Sequence, residues 1–179
     1  MSGEYDIVMV GGSEEVSWEQ ALGFNAMRAL SHSYNDTPHR ASRPFDKKRD
    51  GFVLGEGAGI LILERESRAL ARGHKPKAVL SGFSANSNAT DMVVPNAESS
   101  ADLMRKALRM ANLEPKDIGY INTHGTATPV GDPVEMESIR LVFDETAKPV
   151  INSTKSMTGH MIGAAGAGIF RIDGHSHLE

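Results

Sequence analysis

Strand-like and helix-like segments alternate along the second half of the chain, and this order constrains the fold more than any other feature. Short β-branched or apolar runs at residues 77–84, 118–122 and 149–152 predict strands, and the stretches between them predict helices. A strand, helix, strand order requires crossover connections, which place the strands parallel in one sheet. The sequence therefore predicts an α/β fold with a largely parallel sheet and helices on both sides.

The first half carries two further strand signals. Residues 7–10 and 60–63 are aliphatic runs that predict buried strands. Between them, Ser17 begins a capping-box sequence followed by apolar residues at helical spacing as far as Leu30. Residues 66–72 predict a short helix ended by a glycine. Because the first predicted strand follows a lead of only six residues, we expect further sequence upstream of it.

Composition excludes several classes of function. The 179 residues contain no cysteine, so the chain can hold no disulfide, thiolate metal site or cysteine nucleophile. Its 23 acidic and 19 basic residues give a net charge of −4, whereas a general nucleic-acid binder is usually basic. The most apolar run, residues 60–63, is far shorter than the roughly 20 residues of a membrane span. The first four residues do not resemble a secretory signal, so we expect a cytoplasmic protein without nucleic-acid or membrane partners.

A histidine loop, residues 124–132, follows the predicted strand at 118–122. The C-terminal edge of parallel strands is where open α/β sheets bind ligands, and glycines in the loop allow a close approach of the backbone. His124 is therefore a candidate site residue, although a loop histidine can also simply hydrogen-bond to neighbouring backbone. Asp132 and Pro133 fit a helix start, which favours a capping role for Asp132. Glu135 can either support the same helix end or reach a cation on a neighbouring loop.

A second polar loop, residues 153–160, follows the predicted strand at 149–152. Lys155 and His160 bracket small and hydroxyl side chains, and a helix of very small residues is expected at 163–168. Glycine weakens a helix by about 1 kcal/mol relative to alanine, so tight packing or function must offset that cost. Lys155 is a candidate functional residue, with a solvated surface lysine as the alternative.

Two other signals favour structural explanations. The glycines at 55, 57 and 59 lack the spacing of a dinucleotide-binding loop and precede a strand, so we expect close backbone packing there. A helix in the second half should be capped by Ser99 or Ser100.

Five motifs occur together in one order, and in combination they are specific. They are residues 43–46 (RPFD), 49–53 (RDGFV), 55–59 (GEGAG), 124–132 (HGTATPVGD) and 153–160 (STKSMTGH). Together they closely resemble the β-ketoacyl-acyl-carrier-protein synthases, the elongating condensing enzymes of fatty-acid synthesis. The sequence around Trp18, at 34–38 and at 90–95 is similar to the bacterial type I branch, and the resemblance covers residues 5–168.

The resemblance implies a thiolase-like fold, an αβαβα layered sandwich that is incomplete in this chain. It implies homodimers, acyl carrier protein as partner, and neither a metal nor another cofactor. The family uses a cysteine that takes the acyl chain, two histidines and a lysine. By motif, His124 and His160 correspond to the histidines, Lys155 to the lysine and Glu135 to its acidic partner. We expect the pair of Lys155 and Glu135 to fix the local electric field and the loop geometry. Weaker candidates are the hydroxyls that would line the site or the pantetheine channel: Thr126, Thr128, Thr154 and Thr158.

The departures from the family pattern predict an internal segment of a ketosynthase. The cysteine-bearing helix and the C-terminal glycine-rich loop are missing, and the match stops after Gly168. We expect residues 1–75 to end the N-terminal half, residues 76–170 to form most of the C-terminal half, and residues 171–179, with His175 and His177, to be a non-family tail. Alone, the chain should not condense acyl groups. It should expose sheet and helix faces, and so self-associate or pair with a complementary fragment.

Two other functions compete with a condensing enzyme. One is a catalytically dead ketosynthase-like module that binds acyl carrier protein or a partner ketosynthase chain. The other is a metal hydrolase using His124, Asp132 and His160, which is disfavoured because the spacing matches no known metal motif.

Overall fold

The computed structural model describes residues 4–91 and 94–169, which form two compact units. The first unit contains the chain up to Ser17, Leu54–Leu80 and the chain from His160. The second contains Trp18–Val53 and Ser81–Gly159. The division at residues 75 and 170 stays a prediction, and the expected tail at 171–179 lies outside the described residues.

The first unit is built on two paired strands, β1 (Ile7–Glu14) and β2 (Gly57–Glu64). Both strands lie where the aliphatic runs predict them. They pair antiparallel, with Ile7 opposite Glu64 and Glu14 opposite Gly57, and so do not follow the largely parallel arrangement expected of the fold. The order of elements does not fix this direction, because the residues between these strands belong largely to the second unit and allow the chain to return either way.

The expected burial of these two strands is wrong: Val8, Val10 and Leu63 are exposed, and the side chains of the other face are more exposed still. Side chains of one face alternate along a strand and lie opposite each other across the pair. On one such face Ile7, Met9, Ile60 and Ile62 are 48%, 67%, 69% and 71% exposed. A sheet face is buried only when a second layer packs on it, and the described residues of this unit supply none there. The expectation of an exposed sheet face is thereby confirmed.

The opposite face packs closely against the segment that follows His160. That segment has a short 3-10 helix, Ile162–Ala164, and residues 165–169 are helical. A Cβ on Gly12 would overlap the carbonyl oxygen of Gly163, and one on Gly59 would lie 2.9 Å from the Cβ of Ala167. The close backbone packing expected of the glycines at 55, 57 and 59 is therefore confirmed for Gly59, whereas a Cβ on Gly57 would meet the sulfur of Met161. After β2, helix α2 (Glu66–Ala71) ends before Gly73, as predicted.

The second unit supplies the parallel pair expected from the sequence. Strands β3 (Tyr120–Asn122) and β4 (Val150–Asn152) run parallel, with Ile121 opposite Ile151. The helices of this unit are α1 (Trp18–Ala26), α3 (Ala97–Ala111), α4 (Gly131–Arg140) and α5 (Lys155–Thr158), with short 3-10 helices at Pro38–Arg40 and Pro115–Asp117. Helices α3 and α4 pack against each other.

Two local expectations in the second half are wrong. Residues 77–84 form no strand, because an extended segment needs a ladder partner and none exists among the residues that the structure describes. Helix α3 is capped by Asn96, whose side chain accepts a hydrogen bond from the Ser99 amide at 2.9 Å, and not by Ser99 or Ser100. The helix begins earlier than its apolar spacing indicates, so both serines lie inside its first turns.

Helix α1 ends at Ala26, before the predicted end at Leu30. Leu30 instead forms an isolated β-bridge to Phe52.

Across the described ranges 4–91 and 94–169, no helix is both long and apolar enough to cross a membrane.

Candidate active site

The loop after β3 is held at His124 by the carboxylate of Glu135. Glu135 lies on α4 and accepts hydrogen bonds from the backbone amides of His124 at 2.6 Å and Gly125 at 2.7 Å. Bonds from amides to a charged acceptor are stronger than those between neutral groups. Glu135 therefore fixes the peptide groups on either side of the His124 Cα.

A second anchor comes from the loop after β4. The Ser153 hydroxyl donates to the carbonyl of Gly125 at 2.7 Å. Gly125 has a φ of +35°, and a Cβ there would lie 2.6 Å from the Cβ of Ser153. This position requires glycine both for its backbone angle and for space. The two loops after the parallel strands thus meet beside His124, as the sheet-edge argument predicts.

The electrostatics around His124 favour its neutral form. The residue is solvent-exposed, yet protein atoms crowd the imidazole, and this desolvation lowers its pKa below the ordinary value. The charge of Lys155 lowers the pKa further, while the carboxylate of Asp132 opposes both effects. At neutral pH His124 is a neutral imidazole, which can donate one hydrogen bond and accept another.

Lys155 is buried, with 3% of its surface exposed, so the alternative of a solvated surface lysine is wrong. Burial lowers the pKa of its ammonium group, and the charge of Glu135 opposes that shift. Burial likewise raises the pKa of Glu135, while its two amide hydrogen bonds and Lys155 lower it. The charges of Lys155 and Glu135 thus act on each other through the electric field.

His160 belongs to the first unit, and its geometry is described there by itself. Its Nδ1 accepts a hydrogen bond from the Ile162 amide at 3.2 Å, and its carbonyl accepts one from Gly55 at 3.1 Å. An Nδ1 that accepts a hydrogen bond places the proton of a neutral ring on Nε2. His160 is therefore oriented as an Nε2–H donor.

The capping role expected of Asp132 is wrong. Asp132 is the second residue of α4, 2% exposed, and its Oδ2 accepts a hydrogen bond from the Phe45 amide at 2.7 Å. The first amide of α4 is satisfied by Thr128 instead, because the Thr128 hydroxyl accepts a hydrogen bond from the Gly131 amide at 3.2 Å. The helix begins one residue earlier than Asp132, which turns that carboxylate inward and leaves Pro133 in the third helical position.

The four candidate threonines hydrogen-bond to other groups of the protein. The hydroxyls of Thr126 and Thr128 lie 3.2 Å apart, and Thr154 accepts from the side chain of Asn122 at 3.4 Å. Thr158 donates to the carbonyl of Gly159 at 2.8 Å. Thr126 and Thr154 are buried. A substrate role for the four hydroxyls remains a prediction.

The sequence reading missed two contributors to this site, Ser153 and Arg49. Arg49 Nε lies 3.6 Å from Asp132 Oδ2, across a separation of more than 80 residues. The sequence motif at residues 49–53 includes Arg49, but it does not predict the contact between Arg49 and Asp132. In the described ranges of the chain, no three His, Asp or Glu side chains lie close enough to hold a metal ion.

Comparisons with known proteins agree over most of the chain. The model "Beta-ketoacyl synthase, N-terminal domain" matches residues 1–69, and "Beta-ketoacyl synthase, C-terminal domain" matches residues 77–170. The 3-oxoacyl-[acyl-carrier-protein] synthase 1 of Haemophilus influenzae is 49% identical over 92% of this chain and 40% of its own length. The Escherichia coli K12 protein of the same name is 48% identical over 92% of this chain and 39% of its own.

Solved structures give the same answer. A β-ketoacyl synthase from Burkholderia phymatum superposes with a TM-score of 0.91 and 39% identity, covering 97% of this chain and 42% of that one. A type II polyketide ketosynthase in complex with its acyl-carrier protein also reaches 0.91, at 37% identity, covering 97% and 44%. The chain thus spans about 40% of the length of the curated relatives it matches.

Proposed function

The chain belongs to the β-ketoacyl synthase family, and from that premise we propose that it carries the malonyl-decarboxylating part of a 3-oxoacyl-[acyl-carrier-protein] synthase. The complete enzyme would condense malonyl-carrier with an acyl chain held on a cysteine. The observation that supports the proposal is the pair of hydrogen bonds that Glu135 accepts from the amides of His124 and Gly125. These hydrogen bonds hold the neutral imidazole of His124 at the C-terminal edge of the parallel strands.

The chemistry follows from charge development. When malonyl thioester loses carbon dioxide, the carbon–carbon bond to the carboxylate breaks and its electron pair stays on the remaining carbon as an enolate. Negative charge then builds on the thioester oxygen, where an imidazole N–H from His124 would stabilise it. Removing one such donor typically costs about 2.7–4 kcal/mol, or roughly a 100- to 1000-fold loss of rate.

We propose His160 as the second imidazole donor of the reaction. Its Nδ1 accepts a hydrogen bond from the Ile162 amide, which places the proton of a neutral ring on Nε2, the donor in this proposal. Lys155 and Glu135 would tune His124 through the field and the loop, without transferring protons. Thr126, Thr128, Thr154 and Thr158 are proposed to line the route of the pantetheine arm.

The partner in this proposal is acyl carrier protein, which delivers the malonyl group. Support comes from the polyketide ketosynthase of similar structure, which was solved in complex with its acyl-carrier protein. A homodimeric complete enzyme and a cytoplasmic location remain part of the proposal.

A second function is favoured by one observation, the absence of cysteine from the 179 residues. A module that only binds the carrier or another ketosynthase chain catalyses no reaction, so it needs no thiol to hold an acyl chain. Carrier binding by such a module would not depend on the position or the protonation state of His124, and this difference separates the two functions.

The test is decarboxylation of malonyl-carrier by the chain, followed as carbon dioxide release. We expect slow release that falls to background in His124→Ala and persists in His39→Ala, a matched change of an exposed histidine in the same unit. Tight carrier binding with no release by the unmodified chain would contradict decarboxylation and support the binding module.

A further inference from the structure

We propose that Arg49 is a positioning residue for the His124 loop, acting through the loop backbone and through Asp132. The inference rests on the function proposed above and deepens it. It concerns only the second unit, which contains all the residues involved.

The guanidinium of Arg49 joins the loop at 124–131 to the loop at 43–50. Its Nε donates to the carbonyl of Thr128 at 3.0 Å, and its Nη2 donates to that of Pro129 at 3.0 Å. Its Nη1 donates to the carbonyl of Asp46 at 3.0 Å. One side chain thus satisfies three carbonyl groups from two segments, a geometry that the planar fork of arginine allows and the single ammonium of lysine does not.

The clamped loop contains a backbone conformation that needs support. Ala127 is fully buried, with 0% exposure, and has a φ of +68°, which is unfavourable for a residue with a Cβ. Its carbonyl accepts a hydrogen bond from the Gly51 amide at 3.0 Å, two residues beyond Arg49. Such conformations persist only where the surroundings hold them. Arg49 and Gly51 together hold three consecutive carbonyls, those of residues 127, 128 and 129.

Arg49 also faces a buried charge. The carboxylate of Asp132 is 2% exposed, its Oδ2 lies 3.6 Å from Arg49 Nε, and its Oδ1 has no hydrogen-bond partner among the described residues. A buried carboxylate without a nearby cation is costly, so loss of Arg49 would favour movement of Asp132. The charged groups acting on His124 are Asp132 and Lys155, with Glu135 bound to its amide. Moving Asp132 therefore changes the environment of His124.

The experiment compares Arg49→Gln and Arg49→Lys with the unmodified chain. The control is Arg105→Gln, because Arg105 also donates to a backbone carbonyl, that of Leu141 at 2.7 Å, next to the other end of α4. Titration of His124 is followed by NMR of labelled histidine, with the signal assigned from its loss in His124→Ala. Thermal unfolding and malonyl-carrier decarboxylation, resolved into kcat and KM, are measured on the same samples.

Both Arg49 variants should shift the His124 titration towards the ordinary histidine value. A relaxed loop is better solvated, and desolvation is the largest cause of the lowered pKa of His124, whereas the opposing charge of Asp132 has a smaller effect. They should lower kcat about 100-fold with little change in KM, as expected when a reacting group is misplaced by about 1 Å. Arg49→Lys keeps the charge opposite Asp132 and so guards against a variant that fails to fold. Arg105→Gln should leave the His124 titration unchanged.

A lower melting temperature with an unchanged His124 titration and unchanged kcat in the Arg49 variants would overturn the inference, because the role would then be only structural. Rescue of both readouts by Arg49→Lys would overturn the three-carbonyl clamp. If the unmodified chain releases no carbon dioxide, the proposed function fails, while the His124 titration still decides the role of Arg49.

Discussion

Gly125 is the position where a single added methyl group should most disturb the candidate site. Its φ is +35°, and a Cβ would lie 2.6 Å from Ser153 Cβ, 2.7 Å from Thr123 Oγ1 and 3.0 Å from Phe45 Cε2. Real Cβ atoms do not approach other heavy atoms closer than 3.0 Å, so the loop or its neighbours must shift. Gly125→Ala thus combines backbone strain with overpacking.

The magnitude follows from these two effects. A left-handed conformation costs an L-residue about 1–2 kcal/mol, and overpacking typically costs about 1–3 kcal/mol. The reduced entropy of the unfolded chain returns about 0.4–1 kcal/mol. We expect the free energy of unfolding to fall by about 2–4 kcal/mol. For a chain of this size that corresponds to a decrease in melting temperature of roughly 5–15 °C.

The assay is urea and thermal unfolding followed by circular dichroism. Gly119→Ala is the matched control, because a Cβ there meets no atom within 4 Å and the residue lies in the same unit, beside β3. That control should change the free energy of unfolding by no more than about 0.5 kcal/mol. Equal stability of Gly125→Ala and Gly119→Ala would refute the geometry described for the His124 loop.

Three further predictions concern the same unit. Thr128→Val should cost about 1 kcal/mol of unfolding free energy because α4 loses the hydroxyl that accepts from Gly131, whereas Thr128→Ser should not; denaturant unfolding measures both, and equal loss would contradict the cap. Lys155→Met should raise the pKa of His124, because the charge of Lys155 lowers it; an unchanged NMR titration would show that the field does not act. Burial raises the pKa of Asp50, but hydrogen bonds from the Ser31 hydroxyl and the amides of Ser33 and His32 outweigh it and lower the pKa to about 2. Its stabilisation is therefore present above the ordinary value near 4 and lost as the pH falls towards 2, so the stability of Asp50→Asn should depend less on pH in that window, and an identical acid transition would contradict this.

The lowered pKa of His124 gives a pH dependence of the same sign as that of Asp50, but at higher pH. Its folded value is lowered, so between the folded and ordinary values the unfolded chain binds more protons, and stability should fall as the pH drops below about 6.5. His124→Gln should remove that part of the pH dependence in thermal unfolding from pH 7 to pH 5. A variant with the same slope as the unmodified chain would assign the dependence to other groups.

The sequence motifs are enough to identify the family and the incomplete thiolase-like fold, and both are confirmed by the relatives and solved structures. The parallel β3–β4 pair and the meeting of the two polar loops beside His124 follow from the strand, helix, strand order. The place of Lys155 beside a strand end is likewise predicted, although its burial is decided only by the packed loops.

Other features depend on contacts between distant residues and have no local signature. Asp132 has the sequence context of a helix cap, yet it turns inward because Phe45 and Arg49 approach it from a loop more than 80 residues away. The direction of β1 against β2 and the exposure of Met9 and Ile62 depend on which segments pack beside them. The failed strand at 77–84 has the same cause, since strand propensity alone provides no ladder partner.

The most direct test of the central claim is the identity of the product. The chain is incubated with malonyl-carrier and an acyl-carrier, and the carrier species are resolved by mass spectrometry. Without a cysteine the enolate has no acyl-enzyme to attack, so it should be protonated to acetyl-carrier, with no 3-oxoacyl-carrier formed. Formation of 3-oxoacyl-carrier would contradict the claim that this chain holds only the decarboxylating part, and unchanged malonyl-carrier would contradict decarboxylation itself.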